Sequence, residues 1–199
     1  MGNLSYGGAA TSSYLDLVRK GQVFMAQAIV TAPVIYTTAA GTGGPILWNG
    51  TGGVTSGVKN AQVDAVILGI SWGVSVASTV ATTIGLTGGA GQTAVPTGLT
   101  AIDGITCTRL AGSNIGPNGA GNQCNVYRVA TVSTAGTWFH PVFSLDTTAI
   151  TAMPHQPNWV ALDGLYVVPP GCWISLAAAA TASTAVVNAA LVWAEIPRL

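Results

Sequence analysis

Five consecutive residues have the order of a nucleophile turn. Gly69-Ile70-Ser71-Trp72-Gly73 matches G-x-S-x-G and follows an apolar stretch. In an α/β-hydrolase that arrangement lifts a serine oxygen out of a sharp strand-to-helix turn. Asp103 and His140 follow Ser71 in the chain order such an enzyme uses for its acid and base. A small serine hydrolase on Ser71 is therefore one function to carry forward, and it requires a helix after residue 73. The run from Val74 to Ile84 is instead dense in Val, Thr and Ile, whose branched side chains lose rotamer freedom in a helix. The alternating helices of that fold are also missing from the pattern. Gly69 to Gly73 reads more simply as glycines within a strand.

The remaining reactive side chains do not gather. His140 and His155 are the only histidines, and neither has a Cys, His or carboxylate beside it at metal-ligand spacing. No metal and no other cofactor is expected, and both histidines are assigned structural or interface positions. Asp16, Asp64, Asp103, Asp146, Asp163 and Glu195 are scattered, so no acid–base pair is proposed. Asp103-Gly104 and Asp163-Gly164 read as turns. The glycine-rich stretches lack a following Lys-Ser or Lys-Thr, and no G-x-G-x-x-G occurs, so no phosphate loop is expected. Cys107, Cys124 and Cys172 are an odd number for a closed disulfide framework. Cys107 and Cys124 are spaced so that a bond could close a glycine-rich loop; the alternative is small buried thiols. The six tryptophans suit a sugar-stacking platform or a core and interface, and the second use is favoured.

The composition bounds what these residues can serve. Only 6% of the 199 residues are charged while 49% are hydrophobic, and the net formal charge is zero; an ordinary soluble domain is roughly 25% charged. No charge occurs between Ala65 and Ile102. Charge repulsion cannot keep such a surface monomeric, so much of it is expected to be buried against other chains. Arg19-Lys20 is the only adjacent basic pair, and a phosphate backbone needs a cation cluster, which excludes nucleic acid as the main partner. The two longest uncharged stretches, 63–86 and 177–193, are interrupted by Gly, Ser, Thr and Asn and lack flanking cations, so no membrane helix is expected. The start, Met1-Gly2-Asn3-Leu4-Ser5, has no cationic and apolar leader pattern, and the sequons at Asn3 and Asn49 are taken as accidental.

The elements that must position these residues are strands. Residues 1–21 read as an arm holding one helical turn capped by Ser13 and ended by Gly21. Strands are expected over 22–38 with a break at Pro33, then over 45–48, 62–78, 79–86 and 100–110. Residues 124–132 and 137–145 are expected to pair as a hairpin. Three more strands are expected over 164–168, 172–178 and 185–196, the first two joined by a tight turn at Pro169-Pro170-Gly171. In the strand over 62–78, Asp64, Val66, Leu68, Ile70 and Trp72 are assigned one face and Val63, Ala65, Ile67 and Ser71 the other. Residues 87–98, 111–123 and 147–158 read as loops or irregular. Eight to ten strands without a long helix indicate an all-β fold, an antiparallel β-sandwich of jelly-roll type over 22–199 with an extended N-terminal arm.

The C-terminal third carries a resemblance. Leu165-Tyr166-Val167-Val168-Pro169-Pro170-Gly171-Cys172-Trp173-Ile174-Ser175-Leu176, followed by Ala190-Leu191-Val192-Trp193-Ala194-Glu195-Ile196-Pro197, resembles the closing strands of jelly-roll virion proteins of tailed bacteriophages. In those, a Pro-Gly turn leads into an apolar strand and the last strand ends in Trp-x-Glu-x-Pro. The resemblance implies a non-enzymatic virion structural protein made in the host cytoplasm. It would be a homotrimeric capsid decoration (cement) protein on the capsid surface, with the major capsid protein or other virion proteins as partners. The alternative on the same fold is a tail or spike protein that binds a receptor or glycan. The arm is assigned the cross-subunit contact, through Leu4, Tyr6, Tyr14, Leu15, Leu17 and Val18.

Overall fold

The computed structural model describes residues 16–18, 20–31, 40–41, 45–50, 63–76, 78, 80–91, 97–102, 105–106, 124–132, 136–145, 158–179 and 185–198. Apart from one helical turn at 16–18, these residues are strands and their connections. The strands are β1 (Val23–Thr31), β2 (Ala40–Gly41), β3 (Ile46–Asn49), β4 (Val63–Val76), β5 (Thr82–Gly89), β6 (Thr97–Ile102), β7 (Ile105–Thr106), β8 (Asn125–Thr131), β9 (Thr137–Leu145), β10 (Asn158–Val168), β11 (Cys172–Ala178) and β12 (Val186–Pro197). No helix among the described residues is long and apolar enough to cross a membrane.

Two antiparallel sheets form a β-sandwich. One has the order β10-β4-β12-β1-β7; the other runs β9-β5-β11-β3-β8, with β2 beside β3 on one edge of β8 and β6 on the other. The pairing is nested. β1 pairs with β12, β3 with β11, β4 with β10 and β5 with β9, as in one long hairpin folded over on itself. β12 against β4 and β11 against β5 then join successive layers of that hairpin into the two sheets. Branched and aromatic side chains on alternate positions supply the apolar face each sheet must bury. The core between the sheets draws Phe24, Ile67, Ile70, Leu191 and Trp193 from one and Leu47, Leu86, Phe143 and Ile174 from the other. Trp193 stacks on Phe24 at 5.8 Å, and Trp72 lies nearly parallel to Phe143 at 3.8 Å.

Two polar side chains inside this sandwich join distant elements. Trp193 and Glu195 share one face of β12, and Oε1 of the buried Glu195 accepts from Trp193 Nε1 at 3.0 Å and from the Cys124 amide at 2.9 Å. The Trp-x-Glu pattern is thus a staple from one sheet to Cys124, the residue that leads into β8 of the other. Asn49, fully buried, donates from Nδ2 to the carbonyls of Val63 at 2.8 Å and Val168 at 2.7 Å, while its own carbonyl accepts from the Gly171 amide. One side chain thereby fastens the end of β3 to the start of β4 and the end of β10. The amide of the Asn49 sequon is committed to these bonds.

The helical turn closes as expected on Gly21, which has φ 70°. The Gly21 amide donates to Val18 and the Gln22 amide to Leu17, at 2.9 and 3.0 Å, the paired bonds of a Schellman ending. The Pro169–Gly171 turn also forms, with Gly171 at φ 83° and the Cys172 amide bonded to the Pro169 carbonyl at 3.1 Å.

Three expectations need correction. β8 and β9 exist at nearly the expected bounds but are not a hairpin: β8 pairs with β2, β3 and β6, whereas β9 pairs with β5 at the far side of the same sheet. Second, β10 begins at Asn158, so its first half falls where no strand was expected. Asp163 and Gly164 do turn, with φ 46° and 80°, but the turn is a kink within β10, where the register to β4 jumps between Ala161 and Tyr166. Third, β4 does not keep one alternation. Its register to β12 slips between Ile67 and Gly69, so Val63, Ala65 and Ile67 face the core together with Ile70, Trp72 and Val74. The extra residue at Leu68 exchanges the two faces from Gly69 to Val74, where the register to β12 slips again.

Candidate interaction surface

Ser71 lies in mid-strand, and β4 continues through Val76 without a turn or a helix. Its neighbours across the sheet are Trp159 on β10 and Ala190 on β12. His140 belongs to β9 of the other sheet, opposite Leu86. Its Nδ1 shares a 2.8 Å hydrogen bond with the hydroxyl of Tyr166. The pattern that suggested a nucleophile is thus a pair of strand glycines around a serine, with His140 engaged elsewhere. Asp103, His155 and Cys107 lie outside the described residues, as do Leu4, Tyr6, Tyr14 and Leu15 of the arm. Leu17 and Val18 sit half-buried in the helical turn.

The slip at Leu68 brings Gly69, Ser71 and Gly73 onto the outer face of the five-stranded sheet. Trp159, Ser71, Ala190 and Gln27 then line up in one row across β10, β4, β12 and β1. The neighbouring row is Ala161, Gly69, Val192 and Met25, and Gly73, Asn188 and Ile29 continue on the other side. No ionisable side chain belongs to these rows. The floor is made of small residues, and Trp159 lies flat across it: a Cβ on Gly69 would collide with the Trp159 ring. The indole is nevertheless 53% exposed, and Ile29, at the opposite border, is 65% exposed. The Arg198–Asp64 ion pair, at 3.1 Å, stands at the far end of the same sheet, where Asp64 opposes Ile196.

The outer face of the seven-stranded sheet differs. β3 is buried on both sides, Leu47 toward the core and Ile46 and Trp48 away from it. Ile46 and Trp48 join Tyr127, Val132 and Trp173 in a second cluster. Burial there pushes the Tyr127 hydroxyl up to about 12.

On the open side of the sandwich, β9 and β10 each have a single neighbouring strand among the described residues. Phe139 and Tyr166 meet there at 4.9 Å between ring centres. Together with Gly88, Val167, Pro169 and Cys172 they line a cleft of about 250 Å³. Cys172 is a free thiol, and burial raises it above its ordinary value.

The exposed apolar face and the cleft had no signal in the sequence that named them. Trp159 is one tryptophan among six, and the Gly-x-Ser-x-Gly pattern lies within β4. No family model, curated protein or solved structure matches this chain.

Proposed function

We propose that the chain is a non-enzymatic virion structural protein, a self-associating subunit of the capsid-decoration kind built on a jelly roll. The observation that carries the assembly reading is the uncharged outer face with large apolar side chains open to solvent. Monomeric proteins seldom leave apolar patches uncovered, and this chain has only six Lys and Arg and six Asp and Glu to keep copies apart. The jelly roll is supported by the nested pairing of β1 with β12, β3 with β11, β4 with β10 and β5 with β9: eight strands in two sheets, wound as a folded hairpin. Fold alone does not assign a function; the capsid role also draws on the Pro-Gly turn and the Trp-x-Glu-x-Pro ending.

A decoration subunit works by burying weakly polar surface against its neighbours, so its binding depends little on salt. The test is the mass of the purified protein by light scattering, at low and high salt. A trimer of 19.9 kDa chains that persists at high salt is the expected result; a soluble monomer overturns the reading. A receptor- or glycan-binding tail protein is the second reading, favoured by the aromatic cleft at Phe139 and Tyr166. Saturable binding in a glycan screen, lost in Phe139→Ala, would put it first.

A further inference from the structure

We propose that the next copy of this chain packs on the outer face of the five-stranded sheet, over β10, β4 and β12. This rests on the self-assembly reading and adds the place of the contact. Strand addition at the open side of the sandwich is blocked by the chain's own geometry. β9 carries Pro141, which lacks an amide proton, and its register to β5 slips twice. β10 is kinked by the left-handed Asp163-Gly164 pair. Prolines and kinks of this kind are how edge strands avoid pairing with further strands. At this side of the sandwich, copies would then meet through a face.

The outer face of the five-stranded sheet fits that role by charge and by shape. Its central rows hold no ionisable group, so a partner surface bearing a charge would have that charge stripped of water and left unpaired. The complementary partner is an equally uncharged surface, which a chain that is 6% charged supplies to itself. The central parts of interfaces are depleted in charge and enriched in aromatic residues. Trp159 supplies the aromatic anchor, and its contact with Gly69 orders the ring before any partner arrives, which lowers the entropy lost on association. Ser71 and Ala190 leave a shallow floor between Trp159 and Ile29 into which apolar side chains of the partner can settle.

Three single variants test this: Ser71→Glu at the centre of the face, Ile29→Lys at its border, and Val80→Lys as a control in the connection between β4 and β5. Masses are measured by light scattering, with circular dichroism as the check on folding. The expected result is an oligomer for the unaltered chain and for Val80→Lys, and a folded 19.9 kDa monomer for Ser71→Glu and Ile29→Lys. An unaltered oligomer whose mass survives both face variants overturns the location and leaves the assembly reading standing. Dissociation of Val80→Lys as well also overturns the location, because any added charge then suffices. A monomeric unaltered chain removes both. Should Ser71→Glu lose its strand signal, Ile29→Lys decides, since a side chain 65% exposed can be replaced without disturbing the core.

Discussion

On the seven-stranded sheet, the side of β3 that points away from the core holds Ile46 and Trp48, both buried in one cluster with Tyr127, Val132 and Trp173. On the five-stranded sheet, the corresponding side of β4 holds Gly69, Ser71 and Gly73, with the half-exposed Trp159 ring over Gly69. The two outer faces differ in how far they are buried. The chain finishes one face by itself and leaves the other open. Low charge alone therefore does not single out a face; the proposed contact rests on low charge together with exposure.

The largest expected effect separates the two faces by tryptophan. Trp48→Ala should cost about 3–5 kcal/mol in urea unfolding, since it empties a sealed cluster. In the monomeric Ile29→Lys background, Trp159→Ala should cost less than about 1 kcal/mol, as expected of a surface position. Equal losses at the two sites would erase the distinction between the faces. Next, Glu195→Ala leaves the Trp193 indole and the Cys124 amide without their shared acceptor and should destabilise by about 2–4 kcal/mol, read in the same assay. A loss below 1 kcal/mol would mean that the staple is not what joins β12 to β8.

A pH titration of stability sharpens the comparison from the sealed side. The Tyr127 hydroxyl rises from 10.0 to about 12 on folding, so above pH 10 the unfolded chain releases a proton that the folded chain keeps. Stability is then fully present below pH 10 and falls as the pH climbs toward 12. Tyr127→Phe should remove that component of the decline, and a profile identical to that of the unaltered chain would show that Tyr127 is not its source. The smallest effect is at the open face. Gly69→Ala forces the Trp159 ring off the sheet and should shift tryptophan emission to the red with little change in stability. An unshifted spectrum would mean that the indole does not rest on Gly69.

Local chemistry made several features readable from the chain. Gly21 ends the helical turn because it accepts a positive φ, and the Pro-Pro-Gly turn and most strand limits follow from residue type in the same way. Other features depended on partners distant in sequence. Cys124–Val132 and Thr137–Leu145 look like a hairpin because they are close in sequence, yet their hydrogen bonds go to β3 and β5, which precede them by far. Asp163-Gly164 has the composition of a strand end, and only pairing with β4 on both sides of the kink makes it part of β10.

The sequence by itself determined the all-β character, the turn positions and the shortage of charge, because backbone preference and composition act within a few residues. The tertiary structure alone decided which strands pair and which face of each is buried. One extra residue at Leu68 moved Ser71 and its glycines onto the outer face. Strand alternation has a period of two, so a single-residue slip reverses every side chain beyond it, and that slip is set by hydrogen bonds to β12, more than a hundred residues away.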